Sequence, residues 1–220
     1  MRHSDAASDG NPTHGPTYHD QMQDRRRTVE AAVVAAVDRL LRQGNSFTDL
    51  TTQQIANEAN VARSTLYLYF REKNALLIGM ATTLGQGAFE IVDRWQPDDP
   101  RGLDGLTDTF VEVIGYYRER AHLLGAITEV SGYDRAVREH WTAQLDKFVD
   151  LAQAWLLTEQ RAGRAASDLD RPTAGQIIVH GGNQAIASHV AAGDPARDRV
   201  VAQEIAAAQW FGGLRRAHSR

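Results

Sequence analysis

No cysteine occurs among the 220 residues. Disulfides, thiolate metal centres and cysteine nucleophiles are therefore excluded, and a reducing, cytoplasmic setting suits the chain. Proline is scarce and confined to breaks. Pro12 and Pro16 lie in a polar N-terminal stretch, Pro97 and Pro100 flank QPDDPRG, and Pro172 and Pro195 follow short polar segments. No uninterrupted apolar run approaches the roughly 18–20 residues that cross a bilayer, so no membrane partner is expected. The opening MRHSDAASDGNPTHGPTYHD has no apolar stretch of the kind a secretion signal needs and reads as a disordered polar tail over residues 1–22. Catalytic signatures are also missing. There is no phosphate loop ending GK[ST], no HExxH and no GxSxG, and Gly85-Gln86-Gly87 lies in a helical pattern without the strand a dinucleotide site requires. His3, His14 and His19 are scattered in the tail and do not form a metal site. No enzyme activity, cofactor or metal is expected.

Between the breaks the chain is rich in Ala, Leu, Gln, Glu and Arg, and its apolar residues recur with helical spacing and no sustained alternation. An all-α fold of about nine helices is expected, near 24–43, 52–59, 63–70, 74–95, 103–119, 121–131, 134–163, 172–192 and 197–216. Ala32, Ala35, Ala36 and Leu40 mark the inner face of the first. Gly44, Gly163 and Gly193 stand where helices should end. The net charge is −4, but it is unevenly spread. Residues 25–73 carry eight Lys and Arg against five Asp and Glu, whereas residues 76–220 carry 15 against 19. A mildly basic head on an acidic body suits a protein that presents one end to phosphate.

The most informative stretch is DLTTQQIANEANVARSTLYLYFREKNALL, residues 49–77. Thr51 followed by Gln54 forms a capping box, which starts a helix at Thr52. Ile55, Ala56 and Ala59 face inward, and Ala56 is small enough for a second helix to cross closely. Asn60 tolerates the left-handed backbone of a tight turn. Leu66 and Phe70 then anchor a short second helix whose other face shows Arg63, Ser64, Thr65, Tyr67 and Tyr69, groups suited to base edges and phosphates.

This head, from Val29 to Leu77, resembles the tetracycline-repressor (TetR) family. The carrying positions are Leu41–Gly44, Phe47, Leu50-Thr51, Ile55-Ala56, Val61, Thr65-Leu66-Tyr67, Tyr69-Phe70, Lys73 and Leu76-Leu77. The resemblance implies a helix-turn-helix DNA-binding domain over 23–73 and a ligand-binding and dimerisation domain over 74–220. It implies that Thr52 and Gln53 meet the DNA backbone and that Arg63, Ser64 and Thr65 enter the major groove. Tyr67 and Tyr69 would touch phosphates and bases, and Lys73 would hold a phosphate. Two departures stand out. Asn60-Val61-Ala62 replaces the usual Gly-Val-Ser, which costs the recognition helix its side-chain cap, about 1 kcal/mol. Ser64 replaces a frequent Gly or Ala. Arg25, Arg26 and Arg27 read equally as a DNA-contacting arm or as a solvated helix start.

Within the family, residues 120–215 resemble the subgroup of the ethionamide-resistance repressor, through Trp141 ahead of Gly163 and Asn183 in NQAIASHVAAGDP. That resemblance implies a pocket with Leu145, Phe148, Leu151 and Ala152 on one wall and His180 and Asn183 as polar groups on the facing helix. Phe110, Trp141 and Trp210 are further candidates. A small, mostly apolar effector, a homodimer formed through the last two helices and a double-stranded DNA operator are the implied partners. Repression is the expected mode of action, with activation, ligand-independent regulation or plain small-molecule binding as alternatives.

Overall fold

In the computed structural model, which describes residues 18–218, nine α-helices and no strand account for the regular structure of those residues. They are α1 (Tyr18–Arg42), α2 (Thr52–Glu58), α3 (Arg63–Tyr69), α4 (Lys73–Asp93), α5 (Gly102–Glu119), α6 (Ala121–Ser131), α7 (Arg135–Arg161), α8 (Arg171–Ala192) and α9 (Asp198–Gln209). Gly44, Gly163 and Gly193 all take positive φ at helix ends, as expected. Three sequence expectations change. First, α1 begins at Tyr18, so residues 18–22, assigned to the tail, are helical. His3 and His14 lie outside the described residues. Second, the inner face of α1 is Val33, Ala36, Val37 and Leu41, with Ala35 exposed and Leu40 only partly covered. Third, the last helix is not continuous. A 3₁₀ turn, Pro195–Arg197, precedes α9, and a π turn, Trp210–Leu214, follows it. Gly212 and Gly213 weaken the α pitch there. Gly213 also lies so close to α8 that an added Cβ would fall 2.8 Å from Ile178 Cδ1.

The head is built from α1 to α3. Phe47, Ile55, Ala56 and Leu66 are fully buried against Val33, Val37 and Leu41. Its local chemistry matches the sequence closely. Thr51 and Gln54 form the reciprocal capping box, Asn60 sits at φ 54°, and Ala62 starts α3 without a side-chain cap. An element not foreseen is the clamp made by Lys73 at the start of α4. Its ammonium donates to the carbonyls of Phe47 (2.8 Å), Thr48 (2.9 Å) and Leu50 (2.9 Å), and it lies over the Phe47 ring. Burial pulls its pKa below the ordinary lysine value, opposed by Asp49 and Glu129.

α4 is the spine of the fold. By length and composition it could cross a membrane. In this fold its apolar residues, among them Leu76, Leu77, Met80, Leu84 and Ala88, are buried against the surrounding helices. α6 links body to head through polar contacts. His122 pairs with Asp38 of α1 (2.6 Å), and Ser46 Oγ donates to Glu129 (2.9 Å), which also accepts from Thr48. The far end of the body is closed by Glu159, a fully buried carboxylate held by Arg164 (2.7 Å) and Arg215. Beside it, Trp95 packs edge-on against Trp155 and Trp210.

Candidate nucleic-acid interface and effector chamber

α3 buries one residue fully, Leu66, and the opposite face is open. Arg63 and Ser64 are exposed, Tyr67 is 42% exposed, and Thr65 and Tyr69 lie at the flanks. These groups are ordered relative to one another. Tyr67 Oη hydrogen-bonds Thr52 Oγ1 (3.0 Å) at the start of α2 and accepts from Arg63 Nη2 (3.2 Å), while the guanidinium lies over the Tyr67 ring. The hydrogen bonds from Thr52 and then Arg63 lower the Tyr67 pKa. Gln53 is exposed and donates to Asn57. Arg26 of α1 is exposed and paired with Glu30 (2.7 Å), and α1 packs against α3.

Two residues alter the sequence-based picture. Lys73 was expected to hold a phosphate, but its three donors are occupied by carbonyls of the 47–50 loop, so it is a clamp inside the head. Leu68, which the sequence reading left unassigned, is 74% exposed on the open face. Its helical position beside Ser64 was the available signal, since residues four apart share a face.

In the body, an apolar chamber of about 60 Å³ lies between α4, α5, α7, α8 and α9. Phe110, Leu145, Phe148, Leu151, Ala152 and Asn183 all line it, as the sequence placed them. The other three candidates do not. Trp141 lines an adjoining cavity of about 390 Å³ that shares Leu145 and Asn183 with the chamber. His180 is exposed on the outer side of α8. Trp210 is turned aside at the π turn, where it stacks under Arg215 and packs on Trp95. Tyr117 and Gln209 also line the chamber and were missed.

On its outer side, the α8–α9 face leaves Ile177 68%, Val200 45% and Phe211 63% exposed. Gly181, Gly182, Ala185 and Ala208 floor a groove beside Ile177. Ile186 and Ile205, on the same two helices, are covered within the subunit.

An exposed recognition-type helix on a three-helix head, joined to a larger all-helical body, defines a helix-turn-helix protein. Residues 35–80 match the family described as bacterial regulatory proteins, tetR family. The HTH-type transcriptional regulator EthR of Mycolicibacterium smegmatis is 29% identical over 143 residues, which cover 63% of this chain and 64% of that relative. The match thus spans just under two thirds of the relative's length. The whole fold is also shared. Salmonella enterica GusR superposes with a TM-score of 0.65 at 15% identity, covering 86% of this chain and 96% of that one. The Bacillus subtilis regulator FadR, solved with stearoyl-CoA, gives 0.62 at 18% identity, covering 82% and 97%. Residues 35–80 thus match the DNA-binding domain of the tetR family, and the chain is similar to the regulator EthR over 143 residues.

Proposed function

We propose that the protein is a cytoplasmic transcriptional repressor that binds a pseudo-palindromic operator as a homodimer and leaves it when a small, mostly apolar ligand enters the body. The observation that carries this reading is the open face of α3, where Arg63, Ser64 and Leu68 are exposed beside Tyr67, itself tied to Thr52 of α2, while Leu66 is the one buried residue of the helix. Arg63 and Ser64 read bases in the major groove, with Thr65 and Tyr69 at its edges. Leu68 offers an apolar contact to a thymine methyl. Thr52 and Gln53 meet the phosphates at the start of α2.

The dimer forms across α8 and α9. Their glycines and alanines allow close helix approach, and Ile177, Val200 and Phe211 supply apolar area that water otherwise covers. Ile177→Glu is expected to shift the protein to monomer in sedimentation and to weaken operator binding at least 100-fold, because one head makes half the contacts. A variant that stays dimeric would move the interface elsewhere.

The chamber is too small in this state for anything beyond a few water-sized atoms. A larger ligand has to widen the chamber or extend into the adjoining cavity across Leu145 and Asn183. That requirement gives binding a mechanical output, because a ligand shifts a conformational equilibrium only through different affinities for its two states. The displacement passes to α6 and α4. The Glu129 and His122 contacts with the α1–α2 region then carry it to the head.

The direct test is a gel shift on genomic fragments flanking the gene, with wild type and Tyr67→Phe. Wild type should retain discrete fragments. Tyr67→Phe frees both Thr52 and Arg63 and should weaken binding roughly tenfold without lowering the melting temperature. No retained fragment at modest salt would defeat the reading.

A further inference from the structure

α1 has a second face besides the one packed into the head. Ala31, Val34, Ala35, Asp38 and Arg42 recur along it at helical spacing and line a groove of about 420 Å³ between the head and the body. Val34 is apolar yet 37% exposed there. Across the groove stand Met80 and Leu84 of α4 and Leu123 of α6, with Tyr116 of α5 and Arg120 at the junction of α5 and α6. Gly79 of α4 leaves this side open, because a Cβ added to it would meet nothing within 4 Å. The groove has the size of an ordinary small-molecule site, roughly 300–1,000 Å³.

Two guanidiniums line this space, one from the head and one from the body. Arg42 Nε donates to Asp38 Oδ2 (2.8 Å), and its two terminal nitrogens have no partner among the described residues. Arg120 Nη1 donates to the Tyr116 carbonyl (3.0 Å) and to Glu119 (3.0 Å), which leaves Nε and Nη2 without one. Asp38 is the single carboxylate in the lining, and its other oxygen is taken by His122 (2.6 Å). The groove therefore has a net positive charge and unused charged donors. Arg120 is also held in place, 4.1 Å from the centroid of the Tyr116 ring. Tyr116 is fixed in turn. Its hydroxyl donates to the Thr83 carbonyl (3.4 Å) and lies so close to α4 that a Cβ added at Gly87 would fall 2.2 Å from it.

We infer that this groove is a second ligand site, separate from the body chamber, for a small amphipathic monoanion such as an arylalkanoate. The carboxylate lies between Arg42 and Arg120, whose planar guanidiniums suit its two oxygens. The apolar part covers Val34 and Met80 and removes them from water. An uncharged analogue gains the apolar contact but leaves both guanidiniums to water. Arg42 belongs to the head and Arg120 to the body, so a ligand held by both couples its own binding to head position and hence to operator affinity. The site stands whether or not the body chamber takes an effector.

Binding is read by calorimetry on the full-length protein, with phenylbutyrate and phenylbutanol as the charged and uncharged probes. Wild type is expected to bind the acid about tenfold more tightly than the alcohol, or better. Arg42→Gln and Arg120→Gln should each remove most of that preference while the alcohol binds as before. Gly79→Leu fills the groove and takes a glycine out of a helix interior, so it should lose the acid without melting below wild type. Saturating phenylbutyrate should also shift the retention of operator fragments by wild type and not by Gly79→Leu. Equal affinity for acid and alcohol, or unaltered acid affinity in both arginine variants, overturns the anion site. Full binding by Gly79→Leu puts the ligand elsewhere, the body chamber included, and overturns the groove. Silence of wild type toward the acid overturns the inference outright. Unmoved operator affinity beside normal calorimetry overturns the coupling to DNA. Failure to retain any fragment counts against the repressor reading instead, and calorimetry still decides the site.

Discussion

Glu159→Ala should lose about 3–5 kcal/mol of stability, the largest effect of any single substitution considered for this protein. The carboxylate is fully buried and receives Arg164 Nε and Nη2 as a fork, with Arg215 as a third donor. Arg215 also donates to Pro97 O and caps the Trp210 ring, so one carboxylate ties the end of α7 to the α4–α5 connection and the C-terminal turn. Removing it leaves a half-buried guanidinium unpaired beside the tryptophan cluster. Arg164 is 45% exposed at its side chain and rehydrates in part, which places the loss toward the lower end of the range. Thermal unfolding followed at 222 nm should show a fall of roughly 6–15 °C. Glu159→Gln keeps the shape and some of the hydrogen bonds and should lose less. Because this cluster lies away from α3, the folded fraction should bind DNA normally at low temperature. Wild-type melting of Glu159→Ala would show that the arginines find equal partners in water.

Lys73→Met is expected to weaken DNA binding about 10- to 100-fold, although Lys73 touches no phosphate in this account. The ammonium gathers the carbonyls of Phe47, Thr48 and Leu50, the loop that delivers the chain to the capping box at Thr51. Without it, three partly buried acceptors lose a charged donor, and the start of α2 loses its fixed position relative to α4. The stability loss should be about 1–3 kcal/mol. The salt dependence separates this role from a phosphate contact. Each phosphate contact adds about 0.9 to the slope of log affinity against log salt for each lysine involved. Lys73→Met should therefore lower the affinity curve without changing its slope. A slope shallower by about one per head would return Lys73 to the DNA surface.

The head was legible because its determinants are local. A capping box, a residue tolerant of positive φ and an i, i+4 apolar pair act within a few residues, and Thr51, Asn60 and Leu66 behave as their chemistry dictates. Lys73 escaped because its partners lie about 25 residues upstream, in a loop with no periodicity to place it. The body was legible on one side only. α7 carries a clean stripe, so Leu145, Phe148, Leu151 and Ala152 fell on one wall together. α8 mixes small, apolar and polar residues around its whole circumference, with one face on the chamber and the other open. Its pattern alone could not turn Asn183 inward and His180 outward. Tyr116 and Tyr117 are neighbours in sequence, yet only Tyr117 faces the chamber, and packing rather than residue type decides which one does. Trp210 was misplaced for a different reason: it opens the π turn, and its ring packs on Trp95 and under Arg215 instead of on the chamber.

The outward face of α3 is tested most directly by selecting binding sites from a random duplex pool with the full-length protein, side by side with Arg63→Ala. Wild type should enrich a two-fold-symmetric sequence, and Arg63→Ala should enrich the same sequence with one position in each half-site relaxed, by roughly 1–3 kcal/mol of lost discrimination. An identical motif from both proteins, or no symmetric motif from wild type, would contradict it.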